Sequence, residues 1–110
     1  MKSVTLAWWF ETPKPLTLGK MQEELEALGI SWIERDCEWA PDSINGPLTQ
    51  NAWARIFKFG LRGFVVNLTV EAESNTDLEA KIAEAKKRLL GEVLPLLDAR
   101  KIRETKPEET

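Results

Sequence analysis

The sequence has no histidine and a single cysteine, and these absences remove most of the common catalytic and metal-binding chemistries. Without histidine there is no Ser-His or Cys-His nucleophile pair and no ordinary proton shuttle near neutral pH. Cys37 alone cannot form an internal disulfide or complete the nitrogen and sulfur ligands of a structural zinc site. We therefore assign no catalytic residue and expect no metal site and no cofactor.

Phosphate-binding glycine patterns and long apolar runs are also missing. The six glycines form neither a G-x-G-x-x-G pattern nor a Walker loop. Each unbroken apolar run is far shorter than the ~20 residues that span a bilayer. The apolar stretch 3–10 is followed by no small-residue cleavage site, so we expect neither a signal peptide nor membrane contact. One cysteine fits a reducing compartment, and a cytoplasmic location is the expectation.

The composition is that of one globular domain. The chain has 110 residues, of which 43% are hydrophobic and 30% charged, enough to bury a core without disulfides. Its net charge of −3 does not favour nucleic-acid backbones or anionic lipid. We expect a single domain over residues 1–103, followed by a polar, frayed tail over 104–110.

Hydrophobic periodicity predicts an α+β fold. Period-two alternation predicts four strands, and apolar residues at helical spacing predict two helices. The order β-α-β-β-β-α predicts a two-layer sandwich, with a mostly antiparallel four-stranded sheet and both helices on one face. The nearest common architecture is the ferredoxin-like fold, whose last strand is missing from this prediction. The predicted strands cover about 3–10, 30–39, 53–59 and 64–73.

Turn and capping residues predict where several elements begin and end. Thr17 caps the first helix, and a capping box from Thr76 to Glu79 opens the second. The pair Gly60 and Gly63 predicts a hairpin between the third and fourth strands. Pro95 is expected either to kink the second helix or, with Gly91 just before it, to separate a short helical segment around 96–102.

Three acidic residues alternate along the second predicted strand. Glu34, Asp36 and Glu38 would project from one face, about 7 Å apart. They could dock a basic partner surface, hold a hard cation or act as a carboxylate pair. They could equally be a solvated strand face that resists edge pairing. A flat row does not converge on one ion, so among the functional interpretations we favour docking.

The five tryptophans divide by strand parity. Trp8 shares parity with the core positions of the first strand, and Trp53 shares parity with Phe57 and Phe59, so these are predicted to be core. Trp9 and Trp32 have the opposite parity and are predicted on the sheet face that the helices leave open. Exposed tryptophan is enriched at interface hot spots. The alternative is that a loop or a second subunit covers that face.

A long polar segment, 41–51, is predicted to be a loop. It contains turn chemistry around Asn45 and follows the acidic strand directly. Asp42 and Asn45 could therefore line a site next to the acidic row. Long loops are often functional, and a tolerated insertion is the alternative interpretation.

Arg62, Gly63 and Phe64 resemble the opening of the RNP1 pattern of the RRM family. The resemblance ends there, because Val66 and Thr69 stand where that family has aromatic residues. It would imply RNA binding through Phe64, but Phe64 is predicted to face the helices. Nucleic-acid binding is therefore not expected.

These features together predict a non-catalytic protein-binding domain of inhibitor, immunity or adaptor type. The expected partner is another protein with a basic surface, and a homodimer is the alternative. A carboxylate-based small-ligand or divalent-cation-dependent enzyme domain remains a second hypothesis, and an RNA-binding module a third. The candidate contact residues are Trp9, Trp32, Glu34, Asp36, Glu38, Asp42 and Asn45.

Overall fold

A computed structural model describes residues 1–37 and 40–107, and for residues 34–37, 40 and 41 it describes the backbone alone. The fold is α+β, as predicted. An antiparallel sheet carries helices on one face. The elements are β1 (Lys2–Glu11), α1 (Leu18–Leu25) with a 3₁₀ turn (Glu26–Leu28), β2 (Ile33–Cys37), β3 (Ala40–Thr49), β4 (Ala52–Lys58), β5 (Gly63–Ala72), α2 (Asn75–Arg88), a π-helical turn (Leu89–Val93), α3 (Leu94–Leu96) and β6 (Arg100–Thr105).

The described part of the sheet has six strands in the order β2-β3-β4-β5-β1-β6, so the prediction of four strands is wrong. All neighbouring strands run antiparallel. Strand β5 therefore lies between β4 and β1, and β1 lies between β5 and β6, with α1 following β1 and α2 following β5. This is the β-α-β-β-α-β connectivity of ferredoxin-like folds, with a β2–β3 hairpin added beside β4. The last strand, which the sequence did not predict, is β6.

The hydrophobic core lies between the sheet and the helices. Alternate residues of β1, β4 and β5 face the helices, and Phe10 stacks on Phe64 with ring centroids 5.3 Å apart. Burying each large apolar side chain contributes roughly 1.5–3 kcal/mol. On the helix side, Ala85, Leu89 and Val93 belong to the same core. Trp8 lies in this core, as predicted.

Strand β3 replaces the loop that was predicted over 41–51. Its apolar residues are sparse, but Ile44 and Leu48 are buried on the helix side. The segment ends in a turn at residues 50 and 51. The backbone of Pro47 lies beyond the first residue of β2 that pairs with β3, so β2 has no backbone acceptor there for an amide hydrogen. The absence of an amide hydrogen on Pro47 is therefore tolerated. The carbonyl of Pro47 accepts a hydrogen bond from Trp32 Nε1 at 2.8 Å.

Trp32 lies in the core, so the prediction that it sits on the open face is wrong. Only 2% of its surface is exposed. Its indole ring packs directly over Gly46 of β3, where any Cβ would overlap the ring at Cδ1. A hydrogen bond from Gln22 Nε2 to the carbonyl of Trp32, at 2.6 Å, holds this residue against α1.

The N-cap of the second helix lies two residues before the predicted cap. Ser74, not Thr76, is the N-cap, and its hydroxyl accepts a hydrogen bond from the Asp77 amide at 3.2 Å. The helix widens into the π-helical turn before Pro95, which lies inside α3. The predicted interruption near Pro95 is therefore present as a local change of helix type. No helix in residues 1–37 and 40–107 is long and apolar enough to cross a membrane.

Strand β6 occupies the region where a short helical segment was predicted. The helical region ends at Leu97, and Asp98 has a positive φ of 57°, which turns the chain back toward β1. Every residue of β6 is exposed, so no apolar alternation signals this strand in the sequence. Glu104 and Thr105 belong to β6, and the predicted tail boundary therefore falls inside the strand.

Candidate functional site

The candidate site is the open face, which we define as the side of the sheet opposite the helices. The register aligns its side chains in rows that cross the strands. Residues of this parity are absent from the core cluster between sheet and helices. Three rows cross the centre of the sheet. The first row contains Arg103, Trp9, Val65, Phe57 and Ser43, and the second contains Thr105, Ala7, Asn67, Arg55 and Asn45. The third row contains Thr5, Thr69, Trp53 and Pro47.

Large apolar side chains are exposed on the open face. Trp53 is 47% exposed, Phe59 38% and Ile33 63%. The prediction that Trp53 and Phe59 belong to the core is therefore wrong. Phe57 is buried, but its side chain lies on the open face and not on the helix side. Strand β4 instead faces the helices with Ala52, Ala54 and Ile56, which belong to the core cluster.

Trp9 lies at one end of the open face, where the sequence analysis placed it. Its ring covers Gly63, and a Cβ at that glycine would come within 2.5 Å of Trp9 Cη2. The Arg103 guanidinium lies 5.7 Å from the ring centroid. Trp9, Arg103, Phe59 and Val65 line a hollow of about 180 Å³. This end of the face thus combines aromatic surface with a positive charge.

The middle of the open face is polar. Asn45, predicted in a loop, lies in β3 opposite Arg55 and is only 1% exposed. In the part of the chain that the structure describes, its Nδ2 has no hydrogen-bond partner. A buried polar group in this state costs stability, about 1–3 kcal/mol. The Arg55 guanidinium lies over the Phe57 ring, 5.6 Å from its centroid.

Asp42 is exposed near the start of β3, next to the register shift between β2 and β3. Asp42 and Asn45 both belong to β3, so the prediction that they lie in a loop is wrong.

Two members of the acidic row, Glu34 and Asp36, belong to β2, the edge strand of the sheet, where the structure describes their backbone alone. The backbone of Glu34 pairs with Ile44 of β3. Glu38 lies outside the described residues.

Among residues 1–37 and 40–107 whose side chains are placed, no group of three or more acidic or cysteine residues could hold a metal ion. Phe64 is fully buried on the helix side, as predicted, so it presents no RRM-type surface for RNA.

A broad cleft opens at the other end of the open face, and sequence reasoning missed it. It has a volume of about 510 Å³, and its lining includes Trp53, Gln50, Glu71 and Glu73. In β5, Thr69 and Glu71 alternate with the buried residues Leu68, Val70 and Ala72. The cleft was missed because Trp53 was assigned to the opposite side of the sheet.

No family model matches the chain, and none of the curated proteins is similar enough to count as a relative.

Proposed function

We propose that this chain is a non-catalytic protein-binding domain that docks a partner protein on its open face. The observation that carries the proposal is the 47% exposure of Trp53, the second residue of β4, on a face without helices. Ile33 and Phe59 are further exposed apolar residues on the same side of the sheet.

The energetics of Trp53 favour burial against another molecule. A tryptophan side chain offers about 150–250 Å², so burying its exposed half would contribute roughly 2–3 kcal/mol at 25 cal/mol per Å². Tryptophan and arginine are the residue types most enriched at the centres of protein interfaces. The open face carries both, with Arg103 over Trp9 and Arg55 over Phe57.

Only part of the open face is accessible to a partner. Ala7, Asn45, Phe57 and Val65 lie on this face and are at most 4% exposed. The large apolar side chains that are exposed on it are Ile33, Trp53 and Phe59.

We propose that the partner is a different protein. A homodimer is the alternative that the experiment must distinguish.

The experiment is affinity capture from a nuclease-treated lysate with three immobilised baits: the native chain, Trp53→Thr and Leu61→Thr. Threonine keeps strand propensity at position 53. Leu61, 70% exposed in the β4–β5 hairpin, is a matched apolar control away from the open face. We expect one near-stoichiometric protein on the native and Leu61→Thr baits and its loss from Trp53→Thr.

Two results would contradict the proposal. Equal capture by all three baits would place the interface elsewhere. A native chain that is a stable dimer by light scattering, becomes monomeric on Trp53→Thr and captures nothing would assign the open face to self-association.

A further inference from the structure

The cleft beside Trp53 differs in charge from the rest of the open face. We name it the Trp53 cleft; it lies between the β3–β4 turn and the end of β5 and has a volume of about 510 Å³. Two carboxylates, Glu71 and Glu73, line it together with the indole of Trp53. No lysine or arginine side chain is among its lining residues.

The register explains how an aromatic ring and a carboxylate come together there. Trp53 pairs directly with Thr69 of β5, and Glu71 lies two residues farther along the same face. Such diagonal neighbours on adjacent strands lie about 7–8 Å apart. A group stacked on the indole is therefore within reach of the carboxylate.

The frame of the Trp53 cleft is held by hydrogen bonds. The Glu71 amide donates to the carbonyl of Asn51 at 3.0 Å, which ties the β3–β4 turn to β5. The hydroxyls of Thr5 and Thr69 lie 3.0 Å apart and form a hydrogen bond across β1 and β5. The lining residues thus stand on paired backbone, which suits a preformed site.

We propose that the Trp53 cleft receives a basic side chain of the partner protein, arginine in preference to lysine. This inference rests on the proposed function and names the chemistry of one contact within it. A cation over the indole face is attracted by the ring, and the two carboxylates add charge pairing. The planar guanidinium suits both contacts better than an ammonium does. An acidic group would instead be repelled by Glu71 and Glu73.

The test is an NMR titration of the ¹⁵N-labelled chain, with its amino terminus acetylated so that the Met1 ammonium does not compete. The probes are acetylated, amidated tetra-arginine, tetra-lysine and tetra-glutamine peptides, with maltotetraose as a neutral stacking probe. The indole N–H signal of Trp53 is assigned from Trp53→Phe. The amide signals of Glu71 and Glu73 report the carboxylate side.

We expect saturable shifts of these signals with tetra-arginine at low salt, weaker binding of tetra-lysine and no response to tetra-glutamine. Glu71→Gln combined with Glu73→Gln should weaken tetra-arginine binding about threefold to tenfold, the scale of two exposed charge contacts. The control pair, Glu79→Gln with Glu84→Gln, removes the same charge from exposed positions of α2 and should bind as the native chain does.

The inference is overturned if tetra-arginine gives no saturable shift at the Trp53 cleft, or if the Glu71→Gln/Glu73→Gln variant binds it unchanged. Equal shifts with tetra-glutamine or maltotetraose would also overturn it, because the cleft would then bind neutral groups. If capture of the partner is lost in Trp53→Thr but unchanged in the Glu71→Gln/Glu73→Gln variant, this inference is wrong and the proposed docking function is still supported. Capture that does not need Trp53 would remove the docking function itself.

Discussion

Two tryptophans exchanged the environments that their strand parity predicted. Trp32 is buried and Trp53 is exposed, whereas the sequence indicated the reverse. The space for Trp32 comes from Gly46, and its indole N–H bonds to Pro47, both on β3. Because 41–51 was predicted to be a loop, the strand that accommodates Trp32 was absent from the prediction. The burial of Trp32 thus depends on its contact with β3, which the local sequence pattern does not encode.

Gly46→Ala should therefore destabilise the protein. The new methyl group would overlap the Trp32 ring, which is buried and hydrogen-bonded and cannot move aside freely. We expect the free energy of unfolding to fall by about 1–3 kcal/mol, the usual cost of overpacking. Urea unfolding followed by circular dichroism measures this.

Gly19→Ala is the matched control for this substitution. Gly19 lies in α1, a methyl group added there would meet nothing within 4 Å, and alanine favours helix over glycine. Its free energy of unfolding should be unchanged or slightly higher. Equal unfolding midpoints for the two variants would contradict the packing described for Trp32.

At the scale of elements, the sequence predicted those that alternate strongly or are capped. The β4–β5 hairpin forms at Gly60, and Thr17 caps α1 by accepting a hydrogen bond from the Lys20 amide. Strands β3 and β6 were missed for different reasons. Strand β3 contains Gly46 and Pro47, which signal a turn, while β6 has no buried residue at all. Both strands exist because a neighbouring strand supplies their hydrogen bonds.

The start of α2 offers a test at this scale. Ser74→Ala should lower the free energy of unfolding by about 0.5–2 kcal/mol, because the Asp77 amide loses its acceptor. Thr76→Ala, at the position that the capping-box pattern favoured, should change it by less than about 0.5 kcal/mol. Thermal or urea unfolding of both variants decides between the two caps. A larger loss for Thr76→Ala would contradict the observed helix start.

At the scale of the whole molecule, the α+β class followed from the sequence, while the surface proposed for binding largely did not. Of the predicted contact residues, Trp9 and Asn45 lie on the open face, and Asn45 is nearly inaccessible there. Trp53 was missed because choosing which sheet face the helices cover requires knowing how both helices pack. Parity divides a strand into two faces without saying which one is buried.

The hypothesis of a divalent cation bound by carboxylates can be tested through the melting temperature of the whole protein. A ligand that binds the folded state raises the melting temperature by mass action. We expect no change in melting temperature with millimolar Mg²⁺ or Ca²⁺, because a flat row such as Glu34 and Asp36 does not converge on an ion. A rise that disappears in Asp36→Asn would contradict this expectation and favour a metal-dependent function.

The most direct test of the central claim is the affinity of the captured partner for three forms of the purified chain, measured by calorimetry. An interface hot spot costs about 2 kcal/mol or more on truncation, which is roughly a 30-fold rise in Kd. Docking on the open face predicts that rise for Trp53→Thr and a Kd within about threefold of native for Leu61→Thr. A native Kd for Trp53→Thr would show that the partner binds elsewhere.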